Sequence, residues 1–174
     1  IVVRKISSKD VEKLSSVYKE VFSGSPWYEE RVCSGATLQD ETQKCNVQYT
    51  SRQIPQNYQW TLDETKRQGV VGNAKGLESC VVCGKDLIDF YPNLVNQDDL
   101  IREALSKEGF IGYLLEDGKT PFGFSWGYKV PTETRTKSVN FPVIAPMLDS
   151  AGINLERTFY GAELGIVEDK QGSG

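Results

Sequence analysis

Four cysteines constrain this chain more than any other feature. They stand as Cys33-x11-Cys45 and then Cys80-Val-Val-Cys83-Gly84-Lys85. Between the pairs, residues 34–79 are rich in Gln, Thr, Asn, Ser and Gly and short of aliphatic clusters. A structureless loop of that length is unusual inside a compact domain, so something must hold it. A C-x2-C step followed by glycine is a metal knuckle. Its turn points both sulfurs at one ion and frees backbone N–H groups toward them, while glycine tolerates the left-handed position. The first pair is spaced more widely than the usual two to four residues. The preferred reading is a four-cysteine zinc site of Cys33, Cys45, Cys80 and Cys83. Two disulfides in a secreted chain and buried free thiols are the alternatives. A redox C-x-x-C is disfavoured, because no helix-start pattern follows Cys80. Four protein ligands leave no open position for water or substrate, so the expected metal is structural.

Length and charge set the remaining bounds. A chain of 174 residues is about one domain and is long enough to bury a core. No apolar run reaches the roughly 18 residues needed to span a membrane, and no signal-peptide pattern opens the chain. Residue 1 is Ile rather than Met, which suggests trimming at that end. A net charge of −4 argues against a nucleic-acid partner and suits a cationic or amine substrate. Histidine is missing from the sequence. That excludes Ser-His and Cys-His nucleophile pairs and any His-ligated metal within the chain. Reduced cysteines would place the protein in the cytoplasm.

The chain opens with a short strand over residues 2–6. Ser7 and Ser8 can cap the helix that follows, with Asp10 in its first turn. Apolar residues at Val11, Leu14, Val17, Tyr18, Val21 and Phe22 keep helical spacing. Strands are expected at Gln48–Ile54 and Tyr58–Leu62, and a short apolar run at Leu87–Phe90. A helix capped by Asn96 should run from Gln97 to Lys107, with Gly109 just past its end. Two aromatic and aliphatic runs, 110–115 and 122–128, flank an Asp117-Gly118 turn and read as a hairpin. A roughly thirty-residue connection to Thr158 is long for such a link. Within it, residues 142–153 are expected as a short helix, and the connection reads equally as part of a substrate lid or as a plain surface excursion.

The end of the chain combines an apolar strand, an acidic turn and Gln171-Gly172-Ser173-Gly174. Leu164-x-Ile166 followed by that loop resembles the acetyl-CoA signature of the GNAT N-acetyltransferases, a hydrophobic-x-hydrophobic strand and then Q/R-x-x-G-x-G/A. The first four loop positions are present and the last two are not, which suggests a fragment cut inside its cofactor site. Gly123-Phe124 on the second hairpin strand also resembles the family. So does the order strand, helix, variable loop, helix, hairpin, cofactor strand, from residue 2 to residue 174. The long cysteine-containing insertion departs from the pattern.

The resemblance implies an α+β fold, a mixed and mainly antiparallel sheet flanked by helices, as one partial domain over 1–174 with an insertion over 27–90. It implies acetyl transfer to a small-molecule or peptide amine. Backbone groups of Leu164, Gly165 and Ile166 would hold pantetheine and the acyl oxygen, and the amides of Gln171, Gly172, Ser173 and Gly174 the pyrophosphate. Glu163 is the carboxylate placed to act as base; a solvated strand-end charge is the commoner role of such a residue. Trp27, Tyr28, Trp126 and Tyr128 are candidates for an acceptor pocket, or simply core and rim aromatics. An incomplete cofactor cleft would leave this chain weak or inactive, and its exposed sheet edge would favour pairing with a second copy. The rival expectation is a zinc-stabilised protein-interaction module without catalysis. A nucleic-acid-binding zinc ribbon is disfavoured by charge and by the missing aromatic–basic clusters.

Overall fold

The computed structural model describes residues 1–130, 147, 148 and 150–172. In chain order its elements are β1 (Val2–Lys5), α1 (Val11–Ser23), β2 (Arg31–Cys33), β3 (Asn46–Tyr49), β4 (Gln68–Val71) and β5 (Leu87–Asp89). Then come the single turn α2 (Phe90–Asn93), α3 (Gln97–Ser106), β6 (Ile111–Asp117), β7 (Thr120–Lys129) and β8 (Phe159–Ile166). They form two compact units. One is Ile1–Val17 with Asp98–Ile166; the other is Tyr18–Gln97 with the tail from Val167. The fold is mixed α+β, with largely antiparallel sheets flanked by helices. The expected insertion over 27–90 lies inside the second unit, which also takes in the C-terminal half of α1.

The first unit holds a sheet in the order β1-β6-β7-β8, antiparallel throughout. Its centre is the hairpin read from the sequence, with Leu114 opposite Phe124 and Gly118 at the turn. Alternation along the strands buries Leu114, Phe124 and Trp126 on one face. Phe124 and Trp126 stack there with ring centroids 4.8 Å apart. Helical spacing buries Leu14 of α1 and Ile101 and Ala104 of α3. The Ser15 hydroxyl of α1 donates to the Asp98 carboxylate at the start of α3. Residues 142–146 and the prolines of the long connection lie outside the described residues, so the helix expected over 142–153 is largely outside them too.

The start of α1 rests on a cluster of charges. The amide and hydroxyl of Ser7 donate to the Asp10 carboxylate at 2.8 and 2.7 Å, which ends β1 and begins the helical run. The Arg4 guanidinium donates to the other Asp10 oxygen at 2.7 Å and to both oxygens of Glu116 at 2.6 and 3.1 Å. Lys13 of α1 adds a 2.9 Å bond to Glu116. Both carboxylates are buried as residues, so their charge is tolerated only because it is paired.

The second unit carries a sheet in the order β4-β3-β2-β5, with β3 and β4 parallel and the other pairs antiparallel. The strand expected over Gln48–Ile54 is displaced to Asn46–Tyr49. Beyond Tyr49 the chain is pulled out of the ladder: the hydroxyls of Thr50 and Ser51 and the Ser51 amide all donate to one oxygen of Glu30, at 2.8–3.0 Å. Tyr58–Leu62 makes only an isolated bridge, Thr61 to Val70. The turn that follows is closed by Asp63, whose carboxylate accepts from the amides of Thr65 and Lys66 at 3.1 Å. Tyr91 is buried and meets Tyr18 edge-on at 5.9 Å. Among the described residues no helix is long and apolar enough to cross a membrane.

The Arg4 cluster makes a testable statement about acid stability. The hydrogen bonds from Arg4 hold Asp10 well below the usual carboxylate range, against the opposing effect of burial. Those from Arg4 and Lys13 bring Glu116 down to about 2. Groups with a lowered folded-state pKa contribute stability above their unfolded value, about pH 4, and lose it as pH falls toward the folded value. Arg4→Met is expected to lower the melting midpoint at neutral pH by roughly 5 °C. It should also flatten the loss between about pH 4 and pH 2; thermal melts of both proteins across that range check it.

Candidate metal centre

The four cysteines come from the ends of strands and one turn. Cys33 closes β2, Cys45 precedes β3, and Cys80 and Cys83 sit in the turn before β5. Their sulfurs all lie within 4.8 Å of one another. Cys33 is 3.4 Å from Cys83, and Cys45 is 3.6 Å from Cys80. A disulfide needs about 2.05 Å, and the four are free cysteines in this arrangement. Four sulfurs each about 2.3 Å from a central ion in a tetrahedron would be about 3.8 Å apart. The observed spacing matches that geometry, so the four could hold a metal ion.

The knuckle is built as its sequence suggests. The Gly84 amide donates to the Cys80 carbonyl at 2.8 Å, and the Cys80 amide to the Lys85 carbonyl at 2.7 Å. Gly84 sits at φ +73°, where a Cβ would be strained. On the opposite side the Gly35 amide donates to the Cys33 sulfur at 3.3 Å. A Cβ at Gly35 would fall 3.0 Å from the Cys45 Cβ and 3.3 Å from the Cys33 sulfur. A side chain there would crowd both cysteines, which would have to give by a few tenths of an ångström.

Tyr49 is the member that sequence reading missed. It is fully buried, and its hydroxyl donates to the Cys80 sulfur at 3.0 Å while accepting the Val81 amide at 3.1 Å. The signal was present as alternation along β3. Val47 and Tyr49 face the cysteines, where Ala74, Leu77 and Leu87 also pack, and the residues between them face away.

The thiols do not share one electrostatic environment. Burial pushes Cys33 well above its ordinary range and Cys45 up to about 11. Burial also opposes ionisation of Cys80, but the Tyr49 hydroxyl and the amides of Cys83 and Val82 outweigh it and bring that thiol down to about 7. Negative sulfur is therefore stabilised at Cys80 and resisted at Cys33 and Cys45 unless a cation is shared among them.

The acetyl-CoA positions form a separate group. Leu164, Gly165 and Ile166 end β8, an edge strand of the first sheet, opposite Ser125, Phe124 and Gly123 of β7. Leu164 is 72% exposed, which removes the plain core reading for its side chain. Glu163 is half-buried opposite Trp126, and its charge helps burial raise the Tyr128 phenol above its ordinary range. Gln171 and Gly172 follow a 3-10 turn, Glu168–Lys170, and belong to the other unit. The Gln171 amide donates within that turn to the Glu168 carbonyl at 3.3 Å, so in this conformation it is not offered to a phosphate. Ser173 and Gly174 lie outside the described residues. Of the four candidate aromatics, Trp27 and Tyr28 belong to the second unit and Trp126 and Tyr128 to the first. No family model matches the chain, and no curated protein or solved structure is significantly similar to it.

Tyr49→Phe keeps the packing and removes the hydroxyl donor to Cys80. Outer-shell donors typically change metal affinity by about tenfold or more. We expect the variant to bind zinc about tenfold more weakly in competition with a chromophoric chelator, with an unchanged stoichiometry.

Proposed function

We propose that this chain is an acetyl-CoA-dependent N-acetyltransferase whose second unit is held by a structural zinc ion. The observation that carries the reading is the succession of β1, α1, α3, the β6–β7 hairpin and β8, the order on which the GNAT resemblance rests. The zinc part is supported by donor chemistry. Four sulfurs at tetrahedral spacing, with amide and phenol donors around them, suit a thiolate-loving divalent ion. Cys33, Cys45, Cys80 and Cys83 would be its ligands. All four sites are filled by protein, so the ion would stabilise rather than react.

Acyl transfer forms a bond from the acceptor nitrogen to the thioester carbon and breaks the C–S bond. The acceptor must first lose its ammonium proton, and the departing thiolate must gain one. In this reading the edge backbone at Leu164–Ile166 holds the thioester arm and orients its carbonyl. Glu163 takes the ammonium proton directly or through water. It sits half-buried on β8 opposite Trp126, one residue before the backbone proposed to hold the thioester arm.

A second reading, a zinc-stabilised interaction module without catalysis, draws on the acidic end of the chain. A depression of about 310 Å³ in the second unit is lined by Glu20, Arg52, Glu168 and Asp169, three carboxylates to one guanidinium. That is a poor place for a pyrophosphate. The two readings part on a single titration. Acetyl-CoA added to the zinc-loaded chain is expected to shift the backbone amide resonances of Leu164, Gly165 and Ile166 saturably, with desulfo-CoA reproducing only part of the pattern. Unchanged β8 amides at roughly millimolar acetyl-CoA, a concentration at the upper end of ordinary KM values, would leave the interaction module as the better account.

A further inference from the structure

The second unit contains a groove of about 860 Å³ on the far side of β3 from the cysteines. Asn46 and Gln48 line it, while Val47 and Tyr49, the alternate residues of the same strand, pack on the thiol cluster. Its walls carry three aromatic side chains, Trp27, Tyr58 and Trp60. Trp27 and Trp60 are 51% and 59% exposed, a large indole area to leave in water on one feature. Charge along the groove is unbalanced: Glu29, Asp63 and Glu64 stand against Lys66 alone. Lys66 is already engaged, 3.1 Å from Asp63.

The backbone is bent to make this arrangement. Tyr28 takes a left-handed conformation, φ +58°, which is costly for a bulky residue. The bend sends Tyr28 into the core, edge-on to Tyr58 at 5.2 Å, and leaves its neighbours Trp27 and Glu29 on the groove. Tyr58 is fixed in turn by its hydroxyl, which donates to the Pro26 carbonyl at 2.9 Å. Strained positions of this kind are kept where a site needs a set geometry. Glu29 is half-buried and accepts a hydrogen bond from the Tyr91 hydroxyl. Burial raises its carboxyl above the ordinary range, with the Tyr91 bond pulling the other way. A cation beside a partly desolvated carboxylate is screened less by water than one at an open surface.

We propose that this groove binds an organic ammonium group, held against the indole faces of Trp27 and Trp60 with Glu29 as its counter-charge. Aromatic faces attract cations through their quadrupole, and methylated or primary ammonium groups add apolar contact that an inorganic cation lacks. The shared chemistry is that of an alkylammonium, whether on a small free amine or on a lysine side chain. The inference rests on the groove alone and does not require the acyl-transfer reading.

The three tryptophans, Trp27, Trp60 and Trp126, supply both probe and control, because Trp126 is buried in the other unit. Indole N–H resonances of the zinc-loaded chain are followed while choline, butylammonium, a blocked lysine peptide or 3,3-dimethyl-1-butanol is added. The last is the neutral carbon isostere of choline. The ammonium probes should shift Trp27 and Trp60 saturably and leave Trp126 in place, and the alcohol should bind at least about fivefold more weakly. Trp60→Ala and Glu29→Gln should each weaken choline binding by about fivefold, with unchanged β2 and β5 amide resonances reporting an intact second unit. A tighter lysine peptide assigns the group to polypeptide, and equal binding assigns it to small amines; either ranking supports the proposal. No saturable shift below roughly 50 mM ammonium, or equal binding of the neutral alcohol, overturns it.

Discussion

Four sulfurs drawn to within 4.8 Å of one another set what the second unit can be. Its strands are three or four residues long, and the sequence between the cysteine pairs lacks the aliphatic clusters that would bury a core. Short strands with little apolar area do not stand alone. The cysteines join the end of β2, the start of β3 and the turn before β5, so one ion would tie three of the four strands of the sheet. Binding free energies at structural zinc sites, roughly 10–16 kcal/mol, are comparable to the whole stability of an ordinary domain, about 5–15 kcal/mol. A shared ion would then reinforce the small apolar cluster of Val47, Tyr49 and Ala74 packed around the cysteines.

The first unit meets the same problem by other means. Its sheet is longer-stranded and its helices bring Leu14, Ile101 and Ala104 into a buried interior. Polar specificity enters where Arg4 bridges Asp10 and Glu116 and where the Ser15 hydroxyl meets Asp98. The Arg4 network fixes where β1 ends and where the helical run begins. Both units bury apolar side chains, the second through Tyr18, Phe22, Tyr28, Phe90 and Tyr91, and a shared ion would add ligation to that burial.

Strong local signals were legible in the sequence because their physics is local. The α1 stripe, the β6–β7 hairpin and the Cys80–Gly84 knuckle depend on residues close together along the chain. The pairing of Cys33 and Cys45 with that knuckle was legible as well, since an odd polar stretch needed a tether. What escaped depended on distant partners. β3 ends at Tyr49 because Glu30, far back in sequence, captures Thr50 and Ser51. Tyr58–Leu62 looked like a strand, but its aromatics wall a groove instead. Tyr49 read as an ordinary strand aromatic until the fold set its hydroxyl on Cys80. The Gln171 loop read as a phosphate cradle, yet its first amide closes a turn.

The central claim is that a shared metal ion organises the second unit. Elemental analysis of the purified chain, combined with thiol titration before and after a chelator, tests it most directly. The account predicts one zinc per chain, thiols protected until the chelator is added, and then loss of protected amides across β2–β5 while β6 and β7 stay protected. A metal-free chain with the same amide protection would contradict it, and so would four thiols that react freely without loss of structure.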